Sequence, residues 1–286
     1  MVVFHTDKLG LSVTFGVYVL MFYADYAIVY QVIEYGKHES STSRTMQMLL
    51  THVLLIMCIF CHLRAMLSDP GYVPLPRTKI DFSSDLEMVT TTIVNGKKKV
   101  QPPAIDAWTP CSKCETYRPP RSHHCRKCRR CVRRMDHHCP WINNCVGEKN
   151  FKYFFSFVVY IAIYTLYGFI LVINDWRVHY GDDKQTPADK VMTLVLFFEC
   201  AIFGMFVLAV GSGQVIAILC DRNAVEIRRY GHPKRFPTTP RMVLIQGMCG
   251  RGSKLLWLVP CVAPRIPDPI PPSKYASALN ASVHNV

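Results

Sequence analysis

The chain has 286 residues, of which 50% are hydrophobic and only 19% are charged, and its net charge is +13 at pH 7. The apolar fraction excludes an intrinsically disordered chain, and 15 glycines without a period exclude a collagen-like one. Thirteen cysteines in a chain of this length do not fit a small disulfide-rich domain, so their positions must reveal their role.

Four apolar stretches are long enough to cross a bilayer, which takes about 20 mostly apolar residues. They cover about residues 11–33, 46–67, 153–173 and 191–219. The first stretch has neither the basic segment nor the small-residue cleavage site of a signal peptide, so we expect it to stay in the protein as an anchor. The sequence therefore predicts a mainly α-helical membrane protein with four transmembrane helices.

The charges between these stretches predict the side of the membrane on which each segment lies. Residues 64–152 hold 17 basic and 8 acidic residues, and residues 220–286 hold 10 basic and 3 acidic residues. The two remaining loops are neutral or net acidic. Because basic loops stay on the cytosolic side, we expect both basic segments and both termini in the cytosol. The expected location is an endomembrane, of the Golgi or the endoplasmic reticulum, or the plasma membrane.

These predictions divide the chain into four parts. Residues 1–67 carry the first two spans, residues 68–152 form a cytosolic segment, residues 153–219 carry the last two spans, and residues 220–286 form a cytosolic tail. From about residue 267 the tail is rich in Pro, Ser and Asn, and we expect disorder there. The basic charge could also serve nucleic-acid binding, but a segment tethered to spans on both sides is badly placed to follow a groove, so we predict no nucleic-acid partner.

The segment from residue 111 to residue 145 is dense in metal-binding side chains. It contains seven cysteines and four histidines, namely Cys111, Cys114, Cys125, Cys128, Cys131, Cys139, Cys145, His123, His124, His137 and His138. Disulfides are rare in the cytosol, whereas cysteine pairs spaced Cys-x-x-Cys suit tetrahedral zinc. Iron–sulfur ligation is the rival, and the mixture of Cys and His favours zinc. Two closed four-ligand sites would use eight of the eleven residues, which leaves three for chemistry.

The same segment carries a long motif with many defined positions. It reads Cys111-x-x-Cys114, Arg118-Pro119, Arg121, His124-Cys125-x-x-Cys128-x-x-Cys131, Asp136-His137-His138-Cys139-Pro140-Trp141, Asn144-Cys145 and Gly147, and Asp69-Pro70-Gly71 precedes it. This pattern resembles the DHHC-type protein S-acyltransferases, or palmitoyltransferases, over about 45 residues. Four spans surround it in the order found in that family, and the Asp-Pro-Gly triplet is similar to the family's DPG motif.

The resemblance implies two interleaved, structural zinc sites in a loop-rich module whose core covers residues 109–150. The first site would be held by Cys111, Cys114, His124 and Cys131, and the second by Cys125, Cys128, His138 and Cys145. His123, His137 and Cys139 are then the three residues left over.

The resemblance also implies a two-step acyl transfer. Cys139 would attack the thioester of a long-chain acyl-CoA, with palmitoyl as the expected group, and the acyl group would pass from this acyl-enzyme to a cysteine of a substrate protein. The residues agree with this chemistry, because nine Lys and Arg residues between positions 111 and 145 favour a thiolate. His137 can act as the general base, and Asp136 can orient His137. The alternative is an idle Cys139 thiol in a purely structural metal module.

The expected partners are acyl-CoA, substrate proteins with membrane-proximal cysteines, and the bilayer, which can keep an acyl chain buried during transfer. No motif specifies an accessory subunit or self-association. Two other classes of protein are compatible with the sequence: a zinc-stabilised membrane adaptor, which predicts no acyl adduct on Cys139, and a zinc hydrolase. The hydrolase ranks last, because eight ligands for two ions leave no open metal position.

Apolar side chains near the motif are candidates for contact with the acyl chain. The resemblance suggests that Trp141 touches the start of the chain, although an interfacial anchor explains a Trp at this position equally well. Phe154, Phe157, Ile161 and Tyr164 fall on one face of the third span at helical spacing. Helix packing is the simpler explanation of this face, and the sharper one is an acyl tunnel in which Tyr164 limits chain length.

Polar residues in and after the spans give two further predictions. Asp25, His52 and Glu199 lie inside spans at similar depth, and we expect one hydrogen-bonded cluster that joins three helices.

After the fourth span, the family's Thr-Thr-x-Glu pattern is replaced by residues 223–226, which read Asn-Ala-Val-Glu. If the threonines of the family hold the catalytic loop, Asn223 must substitute for them or the contact is absent.

Overall fold

The structure, a computed structural model, describes residues 2–34, 40–82, 91–94, 97–100, 107–178, 186–230, 239–249, 257, 259 and 269–280. Four helices in this part of the chain are long and apolar enough to cross a membrane. Helix α1 (Lys8–Tyr26) continues directly as a π-helix (Ala27–Ile33), and α2 (Ser41–Leu67), α3 (Phe151–Val178) and α4 (Pro187–Leu219) follow. The predicted fold class, four transmembrane helices with a cysteine-rich module between the second and third, is confirmed.

Three of the four helices begin a few residues before their apolar stretch, because a polar side chain caps each of them. The Asp7 carboxylate accepts a hydrogen bond from the backbone N–H three residues later (3.1 Å), and the Ser40 hydroxyl oxygen does the same (3.2 Å). Thr186 and Asp189 form a capping box at the start of α4. Such caps satisfy backbone N–H groups that the first turn leaves free, so the helix extends into polar sequence.

The four long helices pack around a shared apolar core. Helix α3 contacts both α2 and α4. Ile28, Cys58 and Leu196 are fully buried at the centre of this packing. The outer faces expose large apolar side chains, among them Phe15 and Met205. Exposed apolar area of this kind suits contact with lipid, which agrees with four membrane-spanning helices.

Short antiparallel hairpins occupy the segment between α2 and α3. They pair β1 (Thr91–Val94) with β2 (Lys97–Val100), β3 (Thr109–Cys111) with β4 (Thr116–Arg118), β5 (His123–Cys125) with β6 (Arg130–Val132), and β7 (His137–Cys139) with β8 (Asn144–Val146). A 3-10 helix (Pro140–Ile142) connects β7 to β8. The last three hairpins carry or flank every Cys and His of the predicted metal sites, so they form the scaffold of the module.

Three short helices follow α4: α5 (Ala224–Tyr230), α6 (Arg241–Cys249) and α7 (Ser273–Asn280). The prediction of disorder from about residue 267 is wrong for α7. Its Tyr275 is 2% exposed, donates a hydrogen bond to the Pro74 carbonyl (2.7 Å) and packs beside Trp108 and Tyr117. Tyr275 and a backbone hydrogen bond from Arg77 N to the Ala278 carbonyl (3.0 Å) thus anchor a polar helix on the module, which the composition of the tail did not reveal.

The predicted cluster of ionisable residues inside the spans forms only in part. Asp25 Oδ2 lies 3.6 Å from His52 Nε2, which joins α1 to α2. Glu199 does not take part in this pair, and its buried Oε2 atom has no hydrogen-bond partner among the described residues. The pair therefore links two helices rather than three.

Candidate active site and metal centres

Strand β7 places two neighbouring histidines on opposite sides of the module. Successive side chains of a strand point to opposite faces, so His137 and Cys139 share one face and His138 takes the other. His138 lies opposite Cys145 in the β7–β8 hairpin. Cys139 is buried in an apolar cluster that includes Phe154 of α3. The strand therefore directs His138 toward Cys145 and the Cys139 thiol toward the membrane helices.

Eight of the cysteines and histidines form two compact groups. The first group consists of Cys111, Cys114, His124 and Cys131, and the second consists of Cys125, Cys128, His138 and Cys145. Within each group, the four candidate donor atoms all lie within 4.8 Å of one another. The β5–β6 hairpin serves both groups, because His124 and Cys131 face each other across it while Cys125 belongs to the second group. The two groups are interleaved along the chain.

The spacings within these groups match tetrahedral metal coordination. Four donors bound at about 2.3 Å to one zinc ion would be about 3.8 Å apart. In the first group, His124 Nδ1 lies 3.8 Å from Cys111 Sγ and 3.2 Å from Cys114 Sγ. In the second group, His138 Nδ1 lies 3.8 Å from Cys125 Sγ. Each group could therefore hold one metal ion through four protein donors.

The electrostatics of the groups also suit a cation. A hydrogen bond with Cys125 lowers the pKa of Cys128, whereas a hydrogen bond with the same residue raises the pKa of Cys145. Thiolates at this distance repel each other, so they cannot all ionise unless a cation lies between them. In the first group, burial and the nearby charge of Lys113 lower the pKa of His124, which keeps the imidazole neutral as a metal ligand must be.

Asp136, which directly precedes β7, forms a connected group with His137 and Cys139. Asp136 Oδ2 lies 2.8 Å from His137 Nδ1, and the Cys139 side chain is within hydrogen-bonding reach of His137. Burial is the largest single influence and would lower the pKa of His137, but the hydrogen bonds and charges of Asp136 and Cys139 together outweigh burial, and the pKa rises to about 9. The imidazole therefore holds a proton at neutral pH, next to the sulfur of Cys139.

Two groups that sequence reasoning missed hold Asp136 in place. Gln214 Nε2 donates to Asp136 Oδ2 (3.1 Å), and the backbone N–H of Ala224 donates to Asp136 Oδ1 (2.6 Å). The Asp136 side chain is completely buried. Burial would raise the pKa of Asp136, but the hydrogen bonds, first of all the one with His137, keep it below its ordinary value. Gln214 could have been noticed in the sequence as a polar amide near the end of an apolar span. The backbone N–H of Ala224 could not, because every residue except Pro has one.

The altered Thr-Thr-x-Glu segment keeps its contact with the site through the backbone. Because the donor to Asp136 is the N–H of Ala224, this contact needs no threonine hydroxyl. Asn223 instead caps α5: its Oδ1 accepts from Glu226 N (2.8 Å), and Glu226 Oε2 accepts from Asn223 N (3.0 Å). Glu226 also pairs with Arg121 through two hydrogen bonds of 2.8 Å. Asn223 thus substitutes as a helix cap, and Glu226 ties the tail to the module.

The Asp-Pro-Gly triplet anchors the module at the end of α2. Asp69 Oδ1 accepts hydrogen bonds from the backbone N–H groups of Gly71 and Tyr72, both at 2.9 Å. Gly71 has a φ of 102°, a conformation that residues with a Cβ rarely adopt. Its carbonyl accepts from Arg133 N (2.8 Å), so the turn is joined directly to the segment before β7.

The predicted acyl-chain residues lie next to the site. The ring of Phe154 lies 5.3 Å from that of His137, between ring centroids. Phe154, Phe157 and Tyr164 are all buried, and they extend along α3 away from the module. Trp141 is partly buried, with its ring against aromatic rings of α4. Phe154 and Cys139 share one buried apolar cluster, Tyr164 belongs to a second cluster among the long helices, and Trp141 packs against both.

A basic cavity of about 560 Å³ lies beside the first Cys/His group. Four cationic side chains contribute to its lining, namely Lys113, Arg118, Arg126 and Arg228. Arg228 belongs to α5, the helix whose first N–H contacts Asp136. This cavity suits a ligand with several negative charges.

Comparison with known proteins agrees with this arrangement. The profile of the family described as DHHC palmitoyltransferase matches residues 105–230. Palmitoyltransferase ZDHHC7 of Mus musculus is 30% identical over 274 residues, which cover 92% of this chain and 82% of the relative. Palmitoyltransferase ZDHHC3 of Rattus norvegicus is 28% identical over 267 residues, which cover 91% and 84%.

Similarity extends beyond animals. The probable protein S-acyltransferase 16 of Arabidopsis thaliana is 29% identical over 226 residues, which cover 72% of this chain and 73% of the relative. These alignments reach well beyond the cysteine-rich module. The chain therefore belongs to the DHHC palmitoyltransferase family.

Proposed function

We propose that this chain is a protein S-acyltransferase that works through an acyl-enzyme on Cys139. The observation that carries the proposal is the connected group of Asp136, His137 and Cys139, in which His137 and Cys139 lie on the strand face opposite His138. A thiol beside a protonated imidazole is a reactive arrangement, because the cation stabilises the thiolate. Membership of the family supports the same chemistry, with palmitoyl as the expected acyl group.

We assign one structural zinc ion to each four-donor group. Three cysteines and one histidine are a usual ligand set for structural zinc, and the donor spacings fit it. When bound, the ions would brace the three hairpins, the last of which, β7–β8, carries His137 and Cys139 and directly follows Asp136. The chemistry then falls to the side chains of this chain.

In the first step, the thiolate of Cys139, whose proton His137 already holds, attacks the thioester carbonyl carbon of acyl-CoA. A new carbon–sulfur bond to Cys139 forms as the bond to the CoA sulfur breaks. The proton on His137 then passes to the departing sulfur, which leaves as free CoA. Because Asp136 holds Nδ1 of His137, the other ring nitrogen, Nε2, is the atom that exchanges the proton.

In the second step, the acyl group moves to a cysteine of a substrate protein. The substrate thiol gives its proton to His137, and its sulfur attacks the thioester carbonyl on Cys139. Cys139 leaves as a thiolate beside the protonated imidazole. One thioester replaces another, so the free energy of the reaction is nearly balanced, and the main contribution of the protein is to position the reacting groups.

The acyl chain would lie along the buried face of α3. Trp141 and Phe154 flank the start of this face, Phe157 follows, and Tyr164 lies at its far end. Each buried methylene contributes about 0.8 kcal/mol, so an apolar path from Cys139 into the spans favours long chains. We expect Tyr164→Ala to extend the accepted chain length, and an unchanged chain-length profile would contradict a limiting role for Tyr164.

The basic cavity would bind the phosphate groups of CoA. Its four cations provide charge complementarity, and it adjoins α5, which contacts Asp136. We expect Arg126→Glu with Arg228→Glu to raise the KM for acyl-CoA, and more so at low salt, without a change in chain-length preference. An unchanged KM would mean that the CoA phosphates bind outside this cavity.

We place the module and both termini on the cytosolic side of the membrane. The membrane would be an endomembrane or the plasma membrane. The support is the excess of basic residues in segments 64–152 and 220–286. In this position Cys139 can reach cysteines of substrate proteins that lie close to the membrane.

The proposal is tested by incubating the purified protein with a set of acyl-CoAs and measuring intact mass. We expect one hydroxylamine-sensitive acyl adduct on the wild-type protein and on Cys220→Ser, and none on Cys139→Ser, which should retain its metal ions. An adduct that persists in Cys139→Ser would contradict the assignment of the nucleophile. A wild-type protein that holds metal but forms no adduct would instead be an adaptor.

A further inference from the structure

His62 of α2 is fully buried and is hydrogen-bonded at both ring nitrogens. Its Nε2 lies 3.0 Å from the carbonyl oxygen of Trp141, and its Nδ1 lies 2.9 Å from the hydroxyl of Tyr18 in α1. Trp141 belongs to the 3-10 turn that directly follows Cys139. These two hydrogen bonds therefore form a relay from two membrane helices to the turn beside the reactive thiol.

The acceptor at Trp141 decides which ring nitrogen of His62 carries hydrogen. A carbonyl oxygen only accepts, so Nε2 must donate. A fully buried imidazole that is not paired with a carboxylate is neutral, because an unpaired charge is unfavourable in such surroundings. Nδ1 then has no hydrogen and accepts from the Tyr18 hydroxyl. Tyr18 thus selects the tautomer in which His62 can donate to Trp141.

Further contacts from the N-terminal part of the chain hold the same turn. Thr14 Oγ1 donates to the Trp141 carbonyl at 3.4 Å. Asn143, which ends the turn with a φ of 44°, donates through Nδ2 to the His5 carbonyl at 2.9 Å. Gly10 permits this close approach, because a Cβ at that position would collide with the Asn143 amide. The turn is therefore docked on α1 as well as on α2.

The position of this turn affects both the thiol and the apolar region beside it. Cys139 is the residue immediately before the turn, so a rotation of the Trp141 peptide would be transmitted to it. The ring of His62 also contacts Phe157 of α3, with 5.1 Å between centroids. The Trp141 indole lies against α4. His62 is thus at the point where the turn, α1, α2 and α3 meet.

We propose that His62 is a positioning residue for acyl transfer. Its Nε2–H, oriented by Tyr18, fixes the Trp141 carbonyl and so holds the Cys139 thiol where the apolar face of α3 begins. This inference rests on the proposed function. It assigns part of the placement of Cys139 to a hydrogen-bond relay inside the membrane helices, in addition to the metal-braced hairpins.

Three variants separate this role from a general effect on stability. His62→Leu removes the donor, His62→Gln keeps an N–H near the position of Nε2, and Tyr18→Phe removes only the hydroxyl that orients the ring. His52→Leu is the matched control, because it is the same change ten residues earlier in the same helix. The full-length protein is incorporated into lipid nanodiscs, and the rate of Cys139 acylation is measured over a range of palmitoyl-CoA concentrations, together with metal content.

We expect His62→Leu and Tyr18→Phe to lower the maximal rate of Cys139 acylation by about tenfold. His62→Leu removes the buried donor to the Trp141 carbonyl, and Tyr18→Phe removes the hydroxyl that selects the donating tautomer of His62. The KM for palmitoyl-CoA and the metal content should change little, and His62→Gln should recover most of the rate. His52→Leu should remain within about twofold of the wild-type rate, because His52 lies about 15 Å from His62 along α2 and pairs with Asp25 rather than with the turn after Cys139.

Several results would overturn the inference. One is a wild-type rate in Tyr18→Phe and His62→Leu, and another is an equal loss of rate in His62→Gln and His62→Leu. If His62→Leu also loses its metal ions, Tyr18→Phe decides, and a wild-type rate in that variant rejects the relay. A wild-type protein that is never acylated on Cys139 would instead overturn the proposed function, which is a distinct outcome.

Discussion

Replacement of Asp136 by Asn removes one negative charge from a fully buried position without changing the size of the side chain. The carboxylate accepts hydrogen bonds from three groups: His137 Nδ1, Gln214 Nε2 and the N–H of Ala224. An amide has only one acceptor oxygen, so Asp136→Asn must lose at least one of these contacts. It also loses the charge that keeps a proton on His137.

The size of the effect follows from the pKa of His137, which rises from its ordinary 6.5 to about 9. One pKa unit corresponds to about 1.4 kcal/mol. Burial opposes the shift, Cys139 contributes to it beside Asp136, and 34% of the His137 side chain is exposed. We therefore assign about 1.5 kcal/mol to the charge of Asp136, or roughly tenfold in the protonation equilibrium.

The sign of the pH dependence follows from the raised pKa. The imidazolium is fully present below pH 6.5 and is lost as pH rises through about 9. We expect the rate of Cys139 acylation to fall on the alkaline side near pH 9 in the wild-type protein. In Asp136→Asn this fall should begin about one pH unit lower, so the rate should drop about twofold at pH 8 and roughly tenfold at pH 10.

The assay is single-turnover acylation of Cys139 by palmitoyl-CoA between pH 6 and 10, with metal content measured on the same samples. Asp189→Asn, at the opposite end of α4 from Gln214, is the matched control and should keep the wild-type profile. An alkaline limb that does not move in Asp136→Asn, with metal retained, would refute the view that Asp136 sets the protonation of His137.

Three further predictions concern the two faces of β7 and the contacts made by the tail. His138→Ala should lose about one metal equivalent and melt at lower temperature, whereas His137→Ala should keep both ions and be acylated roughly a hundredfold more slowly; equal metal loss in the two variants would contradict their separate roles. Gln214→Leu should slow acylation about fivefold with metal retained, since it removes one buried hydrogen bond to the Asp136 carboxylate, and a wild-type rate would show that this bond does not matter. Tyr275→Ala should reduce the free energy of unfolding by about 3 kcal/mol, measured by denaturation in detergent, and no change would mean that α7 does not brace the module.

The elements that could be predicted from the sequence are those with a pattern along the chain. Apolar stretches of sufficient length defined the four long helices, and their starts were misplaced only where caps such as Asp7 and Thr186 extend a helix into polar sequence. The grouping of the cysteines and histidines followed from the family motif. The two groups are present in the structure with the expected membership.

The contacts that escaped sequence reasoning join residues far apart in the chain. Gln214 and Ala224 meet Asp136 across 78 and 88 residues, and Ala224 contributes only a backbone N–H, which any residue except Pro provides. His62 and Trp141 are 79 residues apart. Only the packing of the helices brings these groups together, so no local sequence pattern predicts their contacts.

Tyr275 shows a different limit of sequence reasoning. The composition around it is polar and rich in Pro, which predicts disorder. One buried ring, held by Trp108, Tyr117 and the Pro74 carbonyl, and a backbone hydrogen bond from Arg77 N to the Ala278 carbonyl place a short helix on the module. Average composition does not reveal contacts made by so few residues.

The transfer of a single acyl group through Cys139 is the central claim, and a pulse–chase experiment tests it most directly. The protein is labelled with palmitoyl-CoA, freed of excess acyl-CoA, and mixed with a membrane-anchored cysteine peptide, and peptide mass spectrometry follows the label. The label should appear first on Cys139 and then move to the peptide cysteine, in equal amount and without added acyl-CoA. Two results would contradict transfer through this residue. One is label that stays on Cys139, and the other is equal labelling of the peptide by Cys139→Ser supplied with palmitoyl-CoA.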